Sequence, residues 1–141
     1  MSLQPVPPRW AIYMLVGLGS ALGGVARWLL SDLLQAEPGL GFPWGTLWVN
    51  TSGSFLIGAY AGLVAPGGRW SAGLGQRLFF MTGFCGGYTT FSMFSLETLH
   101  YVGAGLPGLA AWLAGVSLAA WLFAVWSGYA LAERFSRRTR P

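Results

Sequence analysis

The sequence predicts an all-α membrane protein with four transmembrane helices, the third of which is broken near its middle. Of its 141 residues, 54% are hydrophobic and only 9% are charged, whereas a typical soluble domain contains about 25% charged residues. The chain also contains apolar stretches of about 20 residues, the length that a helix needs to cross a bilayer. Adjacent glycines and adjacent threonines in the third stretch predict the break.

Four spans of this kind are separated by short connectors rich in proline and glycine. They run from about Trp10 to Leu34, Gly45 to Val64, Leu78 to Val102 and Leu109 to Ala132. We therefore divide the chain into an N-terminal tail (1–9), a four-helix membrane domain (10–132) and an Arg-rich C-terminal tail (133–141). The first span is too long for a cleaved signal peptide, and only one basic residue, Arg9, precedes it.

The middle of the third span is unusual for a membrane helix. Gly86 and Gly87 weaken a helix, and Thr89 and Thr90 follow them. Unwound backbone at membrane depth is tolerated only where protein buries it or a wet cavity solvates it. Broken membrane helices often mark an ion or substrate site, so we expect unpaired carbonyls near the bilayer centre.

Glycines also recur at four-residue spacing, a pattern that lets membrane helices approach closely. The pairs are Gly19 with Gly23, Gly58 with Gly62, and Gly83 with Gly87. They predict a tightly packed bundle. Four such helices cannot enclose a wide pore, so a path would run between helices or along a subunit interface.

Polar residues in the second span fall on one helix face, because Thr46, Asn50 and Ser54 recur every fourth residue. For Thr46 and Ser54 the alternative of equal weight is that each hydroxyl bonds its own backbone. A carboxamide has more hydrogen-bonding capacity to fill, so we favour Asn50 as a ligand contact over a purely structural role.

After the break, aromatic and hydroxyl side chains form one stripe at helical spacing: Phe91, Phe94, Ser95, Thr98 and Tyr101. Aromatic rings carry a positive edge. A narrow path of ring edges and hydroxyl donors suits a small anion, whereas a cation would need carboxylates or rows of carbonyls. Plain packing is the alternative interpretation of the aromatic residues.

Arg27 lies well inside the first span, where a buried guanidinium is a functional-site hypothesis by default. Snorkelling from the helix end is the alternative. Glu97 is expected either to pair with Arg27 or to line a vestibule. The single His100 is expected at the membrane interface. With one His, one Cys and no paired carboxylates, the sequence predicts no enzyme.

The eight basic residues are all Arg, and seven flank the predicted spans on one side: Arg9, Arg69, Arg77, Arg134, Arg137, Arg138 and Arg140. The connectors on the other side, 35–44 and 103–108, have none. Basic residues in short loops set orientation, so both termini are predicted in the cytoplasm. The Arg-rich tail indicates lipid head-group contact rather than nucleic-acid binding, because no aromatic and basic face accompanies it.

Three motifs occur in order along the chain: Gly23-Gly24-x-x-Arg27; Gly45-Thr46-Leu-x-Val-Asn50-x-x-Gly53-Ser-Phe55-Leu-x-Gly58; and Gly83-Phe-Cys-Gly86-Gly87-x-Thr89-Thr90-Phe91-Ser-x-Phe94-Ser95. Together with the number and order of spans, they closely resemble the Fluc family of fluoride channels over roughly residues 10–132. Met93 stands where that family commonly has a hydroxyl.

The resemblance implies a passive, fluoride-selective channel in the cell inner membrane or plasma membrane that exports fluoride from the cytoplasm and so lowers its toxicity. It implies a dimer of antiparallel subunits with two pores, whose partner is an identical chain or a paralogue. By position, Asn50 would contact fluoride, and the ring edges of Phe91 and Phe94 would line the pores. The remaining residues assigned to the anion pathway are Thr46, Ser95, Thr98, Ser117 and Arg27.

The family also implies a buried structural sodium ion at the dimer centre. The positions that correspond to its ligands are the backbone carbonyls of Gly86 and Thr89 from both subunits. Carbonyls released by unwinding suit a hard cation.

The main alternative is a small four-helix multidrug or cation exporter. That class needs a carboxylate within the first membrane helix, and this span offers only Asp32 at its end. A structural membrane subunit is a further alternative, but it would not need the paired glycines and threonines of the third span.

Overall fold

The computed structural model describes residues 7–34 and 41–138, and these ranges are helical with short connectors and contain no strand. The helices are α1 (Arg9–Leu34), α2 (Trp44–Leu63), α3 (Leu74–Arg77), a π-helix (Leu78–Cys85), α4 (Gly86–Tyr88), α5 (Phe91–Gly103) and α6 (Pro107–Arg138). The all-α prediction is confirmed. Of the predicted tails, residues 1–6 and 139–141 lie outside the described residues, and α6 continues as helix beyond the predicted end of the fourth span.

The third segment is helical from Leu74 to Tyr88 and then changes direction over two residues, Thr89 and Thr90, which we call the helix break. Both are extended, with φ/ψ of −78°/159° and −147°/117°, and α5 begins at Phe91. The sequence predicts the break across the paired glycines and the paired threonines. The extended residues are the threonines, whereas Gly86 is helical, with φ −64° and ψ −36°.

The glycines serve a different purpose, close contact between helices. A Cβ on Gly87 would collide with the backbone of Ser20 in α1. Gly19 and Gly23 of α1 lie equally close to the backbone of the π-helix segment, and Gly83 lies against Val16 of α1. Contacts of this kind are possible only without a side chain.

The second close contact joins α2 to α6. A Cβ on Gly58 would collide with the carbonyl of Val125, and one on Gly128 would collide with that of Phe55. Gly62 meets Ala132 and the carbonyl of Tyr129 in the same way. The three predicted glycine pairs therefore all lie at close helix contacts, and the prediction of a tightly packed bundle is confirmed for these positions.

Two helices are long and apolar enough to cross a membrane by length and composition, Arg9–Leu34 and Pro107–Ser136. They correspond to the first and fourth predicted spans. The second span forms α2, whose polar residues lower its hydropathy, and the third is divided at the helix break. Both α1 and α6 expose large apolar side chains, such as Trp28 and Trp126, and faces of this kind suit lipid or another subunit.

A small hydrophobic core lies between α5 and α6 and is formed by Phe94, Tyr101, Ala110 and Leu113. The hydroxyl of Tyr101 donates to the carbonyl of Gly41 at 2.9 Å. This bond holds the start of α2 near the end of α5, so the core fixes both segments that flank the candidate site.

The α2–α6 contact predicts that alanine substitution changes the free energy of unfolding very differently at two helical glycines. Gly58→Ala should lower the free energy of unfolding by about 1–3 kcal/mol, because its methyl group overpacks against the Val125 carbonyl. Gly17→Ala, at a helical glycine with no neighbouring atom within 4 Å, should be neutral or stabilise by about 0.5–1 kcal/mol. Denaturant titration of the purified protein, followed by tryptophan fluorescence, measures both. Equal effects would contradict the described contact.

Candidate functional site

A cavity of about 310 Å³ lies at the helix break, between α2, the break itself and α6. Its walls include backbone, amide, hydroxyl and aromatic groups, contributed among others by Asn50, Ser54, Gly86, Thr89, Phe91 and Trp121. The break and the polar face of α2 therefore meet at this cavity.

Asn50 of α2 is bonded to the backbone of the break. Its Nδ2 donates to the carbonyl of Thr90 at 2.8 Å, and the amide of Thr90 donates to its Oδ1 at 2.7 Å. Both residues are buried, with 5% and 8% of their surface exposed. The reciprocal pair fixes the orientation of the carboxamide. In a flipped carboxamide the NH2 group would face the Thr90 amide, donor against donor, and the oxygen would face the Thr90 carbonyl, acceptor against acceptor.

The two bonds decide what Asn50 can offer to a ligand. Its Oδ1 is engaged by the Thr90 amide, and one of its two N–H groups is engaged by the Thr90 carbonyl. Neither bond uses the second N–H, and Asn50 lines the cavity. The residue therefore supports the break and retains one further donor group.

The two threonines terminate the helices on either side. The amide and the hydroxyl of Thr89 both donate to the carbonyl of Cys85, at 3.0 and 2.9 Å, which closes α4. The hydroxyl of Thr90 accepts from the amide of Met93 at 3.2 Å and so forms the N-cap of α5. Sequence reasoning did not assign Thr90 a role, although a threonine before a helical stripe is a typical N-cap signal.

The carbonyl of Gly86 loses its helical partner at this point. In a continuous helix it would accept from the amide of Thr90, but that amide donates to Asn50. Gly86 is exposed on this chain, and together with Thr89 it lines the cavity. Carbonyl oxygens are suitable ligands for a hard cation. The backbone oxygens at Gly86 and Thr89 are therefore of the ligand type that the predicted cation site requires.

The two phenylalanines of the predicted stripe differ in their surroundings. Phe91 is 68% exposed, whereas Phe94 is 8% exposed and belongs to the core between α5 and α6. Their ring centroids are 5.4 Å apart. Phe94 also makes an edge contact with Trp121, at 5.0 Å and 74°. Trp121 lines the cavity and was not singled out from the sequence.

The hydroxyl groups expected to act as donors are bonded within the protein. Ser95 donates to the carbonyl of Phe91 at 2.9 Å, and Thr98 donates to that of Phe94 at 2.7 Å. These bonds to the residues' own helix direct both protons away from a ligand. Ser117 is on α6 and is only 1% exposed.

Glu97 and Arg27 do not bond to each other. The hydroxyl of Thr46 donates to Oε1 of Glu97 at 2.6 Å. In the described part of the chain, the buried Oε2 of Glu97 and the buried Nε of Arg27 have no hydrogen-bond partner. The pairing of Arg27 with Glu97, one of the two expectations for Glu97, is therefore wrong. The only cysteine, Cys85, is free and buried.

Comparison with known proteins places the chain in a family. A family model described as CrcB-like protein, Camphor Resistance (CrcB), matches residues 14–129. A relative from Rhodopseudomonas palustris is 48% identical over 137 residues, which cover 97% of each chain. A relative from Bradyrhizobium diazoefficiens is 43% identical over 143 residues, which cover 99% of each chain. A relative from Opitutus terrae is 48% identical over 122 residues, which cover 86% of this chain and 92% of the relative.

All three relatives are named fluoride-specific ion channels, two of them FluC 1 and the third FluC. Ion channels are not enzymes, in agreement with the prediction from the sequence. Because the family model spans most of the chain and the relatives align along nearly its full length, the chain belongs to the CrcB family, the Fluc family of fluoride-specific ion channels.

Proposed function

We propose that this chain forms a passive, fluoride-selective channel that exports fluoride from the cytoplasm and so lowers its toxicity. Relatives that share 43–48% of its sequence are named fluoride-specific ion channels. The structural observation that carries the proposal is the position of Asn50. The Thr90 backbone holds its carboxamide in one orientation and leaves an N–H group at the cavity.

The chemistry of the cavity suits a small anion. Fluoride is strongly hydrated, so a narrow path must replace its water with hydrogen-bond donors or positive ring edges. Asn50 supplies an amide donor, and the exposed ring of Phe91 supplies an edge at the same cavity. The described residues contain no cluster of three or more His, Cys, Asp or Glu side chains.

A second subunit completes the proposed pathway. Phe91 and Gly86 are exposed on this chain and line the cavity at the break. An antiparallel partner would supply a second set of the same groups and create two equivalent pores. The pathway assignments of Thr46, Ser95, Thr98, Ser117 and Arg27 remain proposals within this arrangement.

The charge distribution bears on the identity of that partner. Arg9, Arg69, Arg77 and Arg134 lie at the end of the molecule where α1 begins and α6 approaches its end. The positive-inside rule places this end on the cytoplasmic side of the cell inner membrane or plasma membrane. An antiparallel partner must insert the other way, so it is either an oppositely biased paralogue, which we favour slightly for the cell, or an inverted copy of this chain.

A structural sodium ion at the dimer centre is part of the proposal. Its ligands would be the backbone carbonyls of Gly86 and Thr89, two from each subunit. The amide of Thr90 is engaged by Asn50 and does not bond Gly86. A bound cation would neutralise carbonyl dipoles that face one another across the subunit interface.

The exporter alternative requires coupling to protons through a carboxylate inside the first helix. Asp32 lies within three residues of the end of α1 and is exposed. A residue in that position suits an interfacial charge better than a proton-coupling site, so the described geometry favours passive conduction.

We expect purified protein in liposomes to conduct fluoride without a proton gradient and to conduct chloride hardly more than empty liposomes do. Ion-selective electrodes measure both fluxes. Comparable chloride and fluoride fluxes would contradict selectivity, and strict dependence on a proton gradient would indicate an exchanger. Flux that appears only after co-expression with a paralogue would identify a heterodimer, whereas flux from this chain alone would show that homodimers conduct.

Asn50→Asp should reduce fluoride flux at least about tenfold. It places a carboxylate oxygen against the carbonyl of Thr90 and removes the donor at the cavity, and a hydrogen bond to a charged group contributes about 1.5–3 kcal/mol. The matched control is Gln76→Glu, the same chemical change at an exposed residue. Full flux in Asn50→Asp would place the pathway elsewhere.

Phe91→Ile should also abolish most of the flux while leaving the dimer intact, because it keeps bulk and removes the ring edge. Phe123→Ile is the control, since Phe123 is 66% exposed, close to the 68% of Phe91, but does not line the cavity. Flux and gel-filtration profiles of the two variants separate a pathway defect from loss of assembly. Equal flux in both would exclude Phe91 from the pathway.

A further inference from the structure

A second cavity, of about 820 Å³, lies near the end of the molecule where α1 begins and shares no lining residue with the cavity at the helix break. We call it the connector groove. Its apolar walls are Leu15 of α1, Tyr60 of α2, and Phe79 and Phe80 of the π-helix. Its rim is polar and comes from the connector between α2 and α3, with Arg69, Trp70 and Ser71, and from Gln76 of α3.

The connector is held in place largely by hydrogen bonds of its own backbone, which leave its side chains free to line the groove. The amide of Trp70 donates to the carbonyl of Leu63 at 3.0 Å, and that of Arg69 donates to the hydroxyl of Ser136 at 3.3 Å. The guanidinium of Arg77 donates to the carbonyls of Val64 and Ala72. The rim is therefore formed before any ligand binds, which reduces the entropy cost of binding.

Arg69 is the cation among the residues that line the groove. Its guanidinium lies over the ring of Phe135, 4.6 Å from the centroid, and this contact positions the charge beside the groove. Trp70 is 54% exposed next to it. An exposed Trp and an Arg at the end of a membrane helix are typical of the level of the lipid head groups.

The surrounding charge favours an anion. Arg9, Arg77 and Arg134 lie at the same end of the molecule as Arg69, whereas the acidic residues described at this end are limited to Glu133. An apolar trough below a basic rim is complementary to one class of membrane molecule, a lipid with acyl chains and a negatively charged head group.

We propose that the connector groove binds an anionic phospholipid, with its phosphate at Arg69 and Trp70 and an acyl chain against Leu15, Tyr60 and Phe79. The site is separate from the anion pathway and does not depend on fluoride conduction. In an antiparallel dimer, each subunit would present its groove to a different leaflet.

The test is native mass spectrometry of the purified protein in non-ionic detergent. Phosphatidylglycerol and phosphatidylcholine with identical acyl chains are titrated separately, and the bound lipid is counted for each. We expect phosphatidylglycerol to bind more tightly to the wild type. Arg69→Gln should reduce this preference by about fivefold, the effect of about 1 kcal/mol per arginine near a membrane surface.

Two further variants make the assignment specific. Arg134→Gln removes the same charge from an exposed arginine at the same end that does not line the groove, so it should retain the preference. Ala72→Phe fills the groove and should weaken binding of both lipids alike. It also tests the proposal if Arg69→Gln fails to fold, because Ala72 contributes only its backbone carbonyl to the bond with Arg77.

Three results would overturn the proposal. Equal binding of the two lipids to the wild type would show that no anionic site exists. An equal loss of the preference for phosphatidylglycerol in Arg69→Gln and Arg134→Gln would show that general surface charge, and not the groove, causes the preference. Loss of the dimer in Ala72→Phe with unchanged lipid binding would show that the second subunit covers the groove.

Discussion

The carboxamide of Asn50 is the group on which the rest of the site depends. Two residues leave the helical conformation at the break, and the buried amide of Thr90 no longer donates to the carbonyl of Gly86 there. Each unpaired backbone group buried in this way costs about 1–3 kcal/mol, and more in lipid. Asn50 satisfies both the amide and the carbonyl of Thr90. The same two bonds hold the carboxamide of Asn50 in place and divert the Thr90 amide from the carbonyl of Gly86, so one interaction accounts for both features.

The position of Asn50 is in turn set by helix packing. The glycine contacts between α2 and α6 allow the two backbones to touch, and the contacts of α1 with the π-helix hold the segment that leads into the break. The π-helix is the segment that packs against α1 and leads into the break. Turns of this kind are frequent next to functional sites. Small residues therefore do more than fill space, because they bring an amide on one helix within hydrogen-bond distance of the backbone of another.

Much of this arrangement could be predicted from the sequence. Apolar length gave the order of the helices, and four-residue glycine spacing gave their close contacts. The polar face of α2 indicated Asn50. The sequence placed the break at the paired glycines and threonines, but it could not show which pair is extended, because a glycine serves equally well for unwinding and for close contact, and Gly87 is needed for the latter. Nor could the sequence show that Ser95 and Thr98 bond their own helix, that Glu97 accepts from Thr46, or that Trp121 contacts Phe94, since each depends on three-dimensional neighbours.

Amide hydrogen exchange at Thr90 in the membrane-reconstituted protein tests this account most directly. The break is extended and borders a cavity, so an unsupported amide there would exchange quickly. The account predicts slow exchange in the wild type, comparable to that of the flanking helices, and acceleration of at least about tenfold in Asn50→Ala, which corresponds to the loss of one buried hydrogen bond. Fast exchange in the wild type, or a rate that Asn50→Ala leaves unchanged, would contradict it.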